Sequence, residues 1–192
     1  MRTKSFDPET VLRKAMQLFW RQGYEATSMD DLVRAMGINR ASLYATFGDK
    51  RRLFIRALDL YGRTALAPRL AALAEAPSPL AALRALLAEL VAFGAGDPQR
   101  RGCLAVNAAC ELGGRDPEIA ARLRALRRDQ EAHLARLLAR ARDDGEISPA
   151  HDPQSCARLL ATVIDGLRVE AKRDNDADGP AEAAAALLAL IE

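Results

Sequence analysis

Apolar residues recur at three- and four-residue intervals through most of the chain, which is the spacing of one face of an α-helix. The two-residue alternation of a half-buried strand appears nowhere, so the pattern predicts an all-α fold with about nine helices. Capping residues, glycines and prolines set the expected boundaries. The predicted helices span residues 8–22, 28–36, 40–47, 50–67, 80–93, 102–112, 116–144, 153–173 and 180–191.

The second and third predicted helices are short and separated by a tight turn. Ser28 is suited to capping the first of them, Gly37 can adopt positive φ at its end, and Asn39 is suited to capping the next. This order is typical of a helix-turn-helix, in which one helix supports another against the major groove of DNA. Leu43 and Phe47 are expected to pack against the supporting helix. The residues left for solvent or DNA are Arg40, Ala41, Ser42, Tyr44 and Thr46.

The first third of the chain resembles the DNA-binding signature of TetR/AcrR-type transcriptional regulators. The matching residues are Ala15, Leu18, Phe19, Gly23, Tyr24, Thr27, Ile38, Ser42, Leu43, Tyr44, Phe47, Lys50, Leu53 and Phe54. The resemblance implies a three-helix DNA-binding domain at residues 1–49 and a connecting helix at residues 50–67. It further implies a C-terminal domain for effector binding and dimerisation at residues 68–192. The expected function is that of a homodimeric repressor, released from a palindromic operator by a small-molecule effector or a cysteine modification.

The motif also implies which residues contact DNA. Thr27, Ser28, Tyr44 and Lys50 are expected to hold phosphates, and Arg40, Ala41 and Ser42 to approach base edges. Asn39 is expected to cap the recognition helix and to contact a phosphate.

Charge is distributed unevenly along the chain. Through Leu66 there are 12 Lys and Arg against 7 Asp and Glu, a net of +5, whereas the remainder has 16 against 19. A local basic excess is what phosphate contacts need, although solvated basic helices would look the same. Arg2 and Lys4 form a basic arm that either contacts DNA or is a plain tail. No run of about 18 apolar residues and no signal-peptide core are apparent, so a cytoplasmic protein without a membrane partner is expected.

The C-terminal region is expected to hold an effector pocket, although the same residues would describe a plain core. Cys103 and Cys110 are seven residues apart on one predicted helix, a spacing that predicts both on the same face with Asn107 between them. Either they are small buried apolar residues, or Cys103, activated by Arg100 and Arg101, is a sensor thiol. The predicted pocket or sensor residues are Phe93, Cys103, Asn107, Cys110, Leu123, Leu126, Arg127 and Leu160.

The last two predicted helices carry apolar faces that suit packing between two protomers, or closure of one protomer's own core. The resemblance favours the dimer. The predicted interface residues are Leu159, Val163, Gly166, Leu167, Leu187, Leu188 and Ile191.

Catalytic and metal-binding motifs are absent from the sequence. Three cysteines without a CxxC pair predict neither a disulfide framework nor a zinc site, and His133 and His151 are isolated. The sequence therefore predicts no enzyme activity, no metal and no cofactor. Two alternatives stay open. One is a helical-bundle enzyme or carrier that uses the helix-turn-helix only structurally, and the other is an activator whose C-terminal helices dock a protein partner.

Overall fold

The computed structural model describes residues 6–173 and 177–191, which form ten α-helices and no strand. The all-α prediction is confirmed. The helices are α1 (Pro8–Gln22), α2 (Met29–Met36), α3 (Arg40–Phe47), α4 (Lys50–Tyr61), α5 (Ala67–Glu75), α6 (Pro79–Gly96), α7 (Leu104–Leu112), α8 (Pro117–Asp143), α9 (Pro153–Arg173) and α10 (Asp178–Ile191). The suggested basic arm at Arg2 and Lys4 lies outside the described residues.

A π-helical turn, Gly62–Leu66, joins α4 to α5 without a break, so the described helices form nine continuous rods. The prediction that the connecting helix ends at residue 67, before Pro68, is therefore wrong. A proline inside a helix lacks its own N–H and crowds the carbonyl one turn earlier. The wider π turn relieves this crowding, and the Ala67 amide bonds to the Gly62 carbonyl across it. Helical backbone then continues to Glu75.

Two hydrophobic cores divide the described residues. The first is formed by helices α1, α2, α3 and α4, the whole of α7 and the beginning of α8, the last two through Leu104, Ala108, Leu112 and Ile119. The second is built from α5, α6, α9, α10 and the C-terminal half of α8. Helix α7 belongs to the N-terminal core although it lies far along the chain. The proposed division at residues 49 and 67 stays a prediction.

Helix α8 is 27 residues long, which corresponds to about 40 Å, and it contributes to both cores. It packs along α9, and its other neighbours are α5, α6 and α7. Helix α6 alone among the described helices is long and apolar enough to cross a membrane, by length and composition. In this fold α6 lies against α9, where Gly94 allows a close approach to Ala171, so the helix serves as a core element.

Candidate DNA-binding surface and effector cavities

The helix-turn-helix forms through local capping, as its sequence predicts. The Ser28 side chain accepts from the Asp31 amide at 3.1 Å, while the Asp31 carboxylate accepts from the Ser28 amide at 3.0 Å. Gly37 ends α2 in the left-handed region, with φ of 69°. The Asn39 side chain then accepts from the Ser42 amide at 2.8 Å and begins α3. Each of these three hydrogen bonds joins residues only three positions apart.

Helix α3 has one buried side and one free side. Leu43 and Phe47 are buried against the first core, as expected. Arg40, Ala41 and Tyr44 are exposed, and 47% of the surface of Tyr44 is accessible. Ser42 and Thr46 are half-buried at the edge of this face. The exposed side of α3 therefore carries mostly small side chains and a cation at its first residue, which suits entry into the major groove of DNA.

An acidic neighbour holds Arg40 in the DNA-free chain. The Arg40 guanidinium donates to the Asp30 carboxylate of α2 at 2.7 Å, and both side chains are largely exposed. An exposed ion pair of this kind contributes about 1 kcal/mol at most, so a guanine edge or a phosphate can displace it. The contact keeps Arg40 beside the free face of α3 rather than folded back along the helix.

Lys50, the first residue of α4, is the second cation among the predicted DNA contacts. Its ammonium group is 4.4 Å from the centre of the Tyr24 ring and donates to the Glu25 carbonyl at 3.4 Å. The Tyr24 ring in turn packs edge-on against Phe54, with 5.0 Å between ring centres. Burial raises the pKa of the Tyr24 hydroxyl, and the nearby Glu25 carboxylate adds to this effect. The cation is thus held in place by the turn that follows α1.

The predicted phosphate contact of the Thr27 side chain is wrong. Thr27 is fully buried, and its hydroxyl donates to the Gly23 carbonyl at 2.6 Å. The hydroxyl fixes the turn between α1 and α2 and has no access to DNA. Ser28, Asn39, Arg40, Ala41, Tyr44 and Lys50 reach the surface, and Ser42 does so in part. Their DNA contacts stay predictions.

Two polar contacts tie the C-terminal helices to the DNA-binding helices. The Glu111 carboxylate of α7 accepts from the amides of Tyr24 and Glu25, at 2.8 and 3.2 Å. Arg51 of α4 donates two hydrogen bonds to Asp116, the N-cap of α8, at 2.5 and 2.9 Å. Sequence reasoning missed both contacts. The one available signal for Glu111 was its position as the single charged residue of α7.

Two adjoining cavities lie where α8 and α9 meet the connecting helix. The larger, about 280 Å³, is bounded mainly by α7, α8 and α9. The smaller, about 40 Å³, is bounded by the π turn, α5, α6, α8 and α9. Four residues line both cavities: Leu66, Leu126, Gln130 and Arg168. A largely apolar lining with a few polar groups is what small-molecule sites require.

Three of the residues predicted for the effector pocket line the larger cavity: Leu123, Leu126 and Arg127. Leu160 lines neither cavity and is fully buried in the second core. Phe93 and Asn107 also lie outside both linings. The Phe93 ring stacks on Trp20, with 6.3 Å between ring centres, and the Asn107 amide donates to the Arg101 carbonyl at 2.9 Å. Their side chains are used in packing the loop before α7.

The two cysteines are not on one face, contrary to the prediction. Cys103 is the N-cap residue just before α7 and is buried, whereas Cys110 lies within α7 and is exposed. Arg101 also does not activate Cys103, because its side chain donates to Asp97 at 3.0 Å. The cation beside the Cys103 sulfur is Arg168 of α9, whose Nη1 lies 3.3 Å away.

Arginines dominate the polar lining of the larger cavity. Arg127 donates to Asp165 at 2.5 Å and to Glu131 at 2.6 Å. Burial raises the pKa of Asp165 above its ordinary value, although Arg127 and Arg168 oppose this effect. Sequence reasoning did not identify Arg168 as a lining residue. The signal was its position four residues after the buried Ile164, which puts both side chains on the same face of α9. Among the described residues no group of three metal-binding side chains occurs.

The outer faces of α9 and α10 carry exposed apolar side chains. Leu159, Val169 and Leu190 have exposed fractions of 46%, 43% and 67%. Gly166 faces open space between them, since a β-carbon there would meet no atom within 4 Å. Val163 and Leu188 are partly buried. Three predicted interface residues instead close the protomer's own core: Leu167, Leu187 and Ile191. Leu167 also lines an open groove with Val163 and Gly166, and the interface as a whole stays a prediction.

Comparison with known proteins covers both halves of the chain. A family profile described as "Bacterial regulatory proteins, tetR family" matches residues 11–57. A second, described as "Tetracyclin repressor-like, C-terminal domain", matches residues 79–187. The chain is therefore similar to these regulators in its DNA-binding region and in most of its C-terminal region.

Individual relatives agree with the two profiles. The HTH-type transcriptional repressor ComR of Escherichia coli K12 is 35% identical, over 89% of this chain and 82% of that protein. The HTH-type transcriptional regulator YezE of Bacillus subtilis is 37% identical, over 83% of this chain and 82% of that protein. A cysteine-substituted variant of the TetR-family regulator CifR, solved with 26-base-pair operator DNA, is 33% identical with a TM-score of 0.88, and the match covers all of both chains.

Proposed function

Because the chain belongs to the TetR family of bacterial transcriptional regulators, we propose that it is a homodimeric repressor of a palindromic operator. Its role as a DNA-binding transcriptional regulator follows from the family. Repression is proposed because relatives that match most of this chain, ComR among them, are named as repressors. Release of the operator by a small-molecule effector completes the proposal.

The observation that carries the proposal is the free face of α3. It presents Arg40, Ala41 and Tyr44 to solvent, with Lys50 fixed beside them by the Tyr24 ring. Arg40 is suited to a bidentate contact with guanine, and Lys50 to a phosphate. A two-fold dimer would present two such faces about 34 to 36 Å apart, which is one turn of the DNA helix.

The proposed dimer uses the outward apolar residues of α9 and α10. Leu159, Val163, Gly166 and Leu190 lie on this surface, and the small Gly166 permits close contact between helices. Two helices from each protomer would form a four-helix arrangement around the two-fold axis. This surface excludes Leu167, Leu187 and Ile191, which pack inside the protomer.

The proposed effector site is the pair of cavities at the α8–α9 contact. Helix α7 links it to the DNA-binding helices, because Cys103 at its start touches Arg168, while Glu111 near its end holds the Tyr24 amide. A ligand that binds better to a conformation with α7 displaced would favour that conformation. Because Glu111 of α7 holds the turn between α1 and α2, this turn and Lys50 would move with α7. Operator affinity would fall by the same free energy that the ligand gains.

Cysteine modification is a second candidate trigger, favoured by the surroundings of Cys103. Its sulfur lies 3.4 Å from the Tyr61 hydroxyl and 3.3 Å from Arg168, so an added group would disturb α4, α7 and α9 together. Alkylation of the folded Cys110→Ser variant would then lower its operator affinity. Adding Cys103→Ser to this variant would abolish the effect of alkylation. Unchanged affinity after complete alkylation of Cys103 would exclude this trigger.

The test of the main proposal is binding of the purified protein to its own upstream DNA at several salt concentrations. A steep salt dependence and a footprint of two related half-sites are expected. If no specific site is found there, selection from genomic fragments extends the search. Failure of both would contradict the proposal.

The rival readings receive less support. The relatives named above are transcriptional regulators, and we propose that this chain is likewise not an enzyme and works in the cytoplasm. A protein-docking activator would be favoured by exposed apolar residues on α8. Large exposed apolar side chains in the described part of the chain occur on α3, α9 and α10, and none on α8.

A further inference from the structure

Arg168 stands apart from the other charged residues that line the cavities. It is partly buried, and its side chain lines both cavities at their junction. The hydrogen bond of its guanidinium goes to the Cys103 sulfur at 3.3 Å. Within residues 6–173 and 177–191 no carboxylate is close enough to form an ion pair with it. A thiol is a weak acceptor, so most of the donor capacity of Arg168 is unused.

The neighbouring Arg127 has carboxylate partners, which Arg168 lacks within the described part of the chain. Arg127 has Asp165 and Glu131 within ion-pair distance, and it also donates to the Ala161 carbonyl at 3.1 Å. A partly buried cation without such partners loses hydration that a single bond to a thiol replaces only in part. An anion in the cavity would supply both the missing charge and the missing acceptors.

The charge of the lining agrees with an anionic ligand. The larger cavity is lined by three arginines, Arg124, Arg127 and Arg168, and by one carboxylate, Asp165. Arg127 also pairs with Glu131, so three arginines stand against two carboxylates and leave one positive charge in excess, on the side of Arg168 and Arg124. A single negative headgroup would be accommodated here, and a positive one would be repelled.

The apolar surface agrees with a hydrophobic body attached to that headgroup. From the junction at Arg168 the smaller cavity is lined mainly by leucines and Ile164, although Arg69 and Asp129 also contribute to its wall. Leu66 and Leu126 continue the apolar lining into the larger cavity. Gly62 contributes by its lack of a side chain, since a β-carbon there would lie 2.9 Å from Leu126. The larger cavity is thus the more cationic end of the site, and most of the residues that line the smaller cavity are apolar.

We propose that Arg168 is an anion-binding residue and that the effector is a small organic monocarboxylate with an apolar body. This inference rests on the proposed function, because it names the ligand class of the same cavities. The carboxylate takes the place of the Cys103 sulfur as acceptor for Arg168, which frees the start of α7. Gly102 allows the loop before α7 to pack closely against α9. A β-carbon at this position would lie only 2.7 Å from the Arg168 carbonyl oxygen.

The test uses octanoate as the probe, with octanol and octylamine as length-matched neutral and cationic compounds. Binding to the DNA-free protein is measured by calorimetry and by fluorescence of Trp20, the one tryptophan of the chain, whose indole donates to the Gly102 carbonyl at 3.2 Å. Octanoate is expected to bind at least tenfold more tightly than octanol, and octylamine more weakly than either.

Three variants locate the headgroup. Arg168→Gln is expected to lose about tenfold or more of octanoate affinity and to bind octanol as before. Arg168→Lys keeps the charge and is expected to retain a preference for octanoate. Arg128→Gln, an exposed position of α8 outside both cavity linings, is the control and should match the unmodified protein. If Arg168→Gln fails to fold, Arg168→Lys and the comparison of headgroups still decide the question.

The outcomes separate this inference from the proposed function. Equal binding of octanoate and octanol, or full octanoate affinity in Arg168→Gln, overturns the inference. So does the absence of octanoate, hexanoate and benzoate binding up to about 10 mM. Operator binding is measured without ligand in a separate experiment, and its failure would count against the repressor proposal alone. Carboxylate binding through Arg168 without any operator release would support the site and overturn its role as effector site.

Discussion

The Glu111 carboxylate accepts a 2.8 Å hydrogen bond from the Tyr24 backbone amide, and this contact joins α7 to the turn that supports Lys50. The fit is close, because a β-carbon on Gly23 would lie 2.1 Å from a Glu111 oxygen. Gly23 also has φ of 84°, a conformation that side chains rarely adopt. Glycine at this position therefore allows the carboxylate to reach two backbone amides.

Replacement of Glu111 by alanine is expected to uncouple the DNA-binding helices from the cavities. The amides of Tyr24 and Glu25 would lose a charged acceptor, at a cost of about 1 to 2 kcal/mol in the free energy of unfolding. Urea unfolding measures that cost, and the ratio of operator Kd with and without effector measures the coupling. We expect the ratio to fall several-fold. Glu75→Ala, at an exposed position on α5, is the control, and an unchanged ratio in Glu111→Ala would contradict the role of α7.

The two kinds of DNA contact should separate when Arg40 and Lys50 are replaced by alanine. Arg40 is predicted to read a base, so its loss should cost about 1 to 3 kcal/mol on the operator and relax the preference at one position. Lys50 is predicted to bind a phosphate, so its loss should weaken binding to all sequences alike and reduce the salt slope by about one. Kd values on operator and random DNA across a salt series provide the measurement. Equal losses of both variants on both DNAs would refute this assignment.

The ion pair of Asp116 with Arg51 predicts a specific dependence on pH. The hydrogen bond from Arg51 lowers the pKa of Asp116 from 3.8 to about 2, and the Ile119 amide adds to this effect. A carboxyl group whose pKa is lower in the folded state stabilises the fold above its ordinary pKa, and this stabilisation is lost as the pH falls through the folded value. The stabilisation is therefore complete above about pH 5 and disappears between about pH 4 and pH 2.

Asp116→Asn tests this dependence, since asparagine can still cap α8 but cannot form the ion pair. The variant should melt at a lower temperature than the unmodified protein near neutral pH. The difference should shrink as the pH falls below about 4, because the unmodified protein then loses the same contact. Asp152→Asn is the matched control, as Asp152 also precedes a proline at the start of a helix but bonds to Ser155 rather than to an arginine. A difference in melting temperature that is constant with pH would contradict the assignment.

Local features of the fold were predictable because their causes are local. Ser28 and Asn39 cap the helices that the sequence assigned to them, and Gly37 ends α2 in the predicted conformation. The buried residues of α3, Leu43 and Phe47, followed from helical spacing in the same way. The error at Pro68 shows the limit of such rules, since a neighbouring π turn removed the clash on which the rule depends.

The candidate sites depended on contacts that no local pattern contains. Arg168 and Cys103 are 65 residues apart, and Glu111 and Tyr24 are 87 apart. Apolar spacing on α9 and α10 could not distinguish Leu159, which faces solvent, from Leu160 and Leu167, which are buried in the second core. Thr27 matched a DNA-contact motif, yet its hydroxyl bonds to the carbonyl four residues earlier. Burial and partners decide these roles, and both come from tertiary structure.

The proposed dimer predicts that a charge on the outer face of α9 or α10 separates the protomers. Leu159→Arg and Leu190→Arg introduce a cation at exposed positions, so protomer stability should change by no more than about 0.5 kcal/mol. Two such cations would face each other across a two-fold axis, and the dimer should dissociate. Because two recognition helices no longer bind together, operator affinity should fall by roughly 10²-fold to 10⁴-fold.

Light scattering after size-exclusion chromatography gives the mass of each variant. Ala121→Arg adds the same charge to an exposed position of α8 and should leave a dimer with full operator affinity. A monomeric unmodified protein would contradict the dimer directly. If Leu159→Arg and Leu190→Arg were both dimers with unchanged operator affinity, another surface would form the interface, because an unpaired cation buried between two apolar helix pairs costs several kcal/mol.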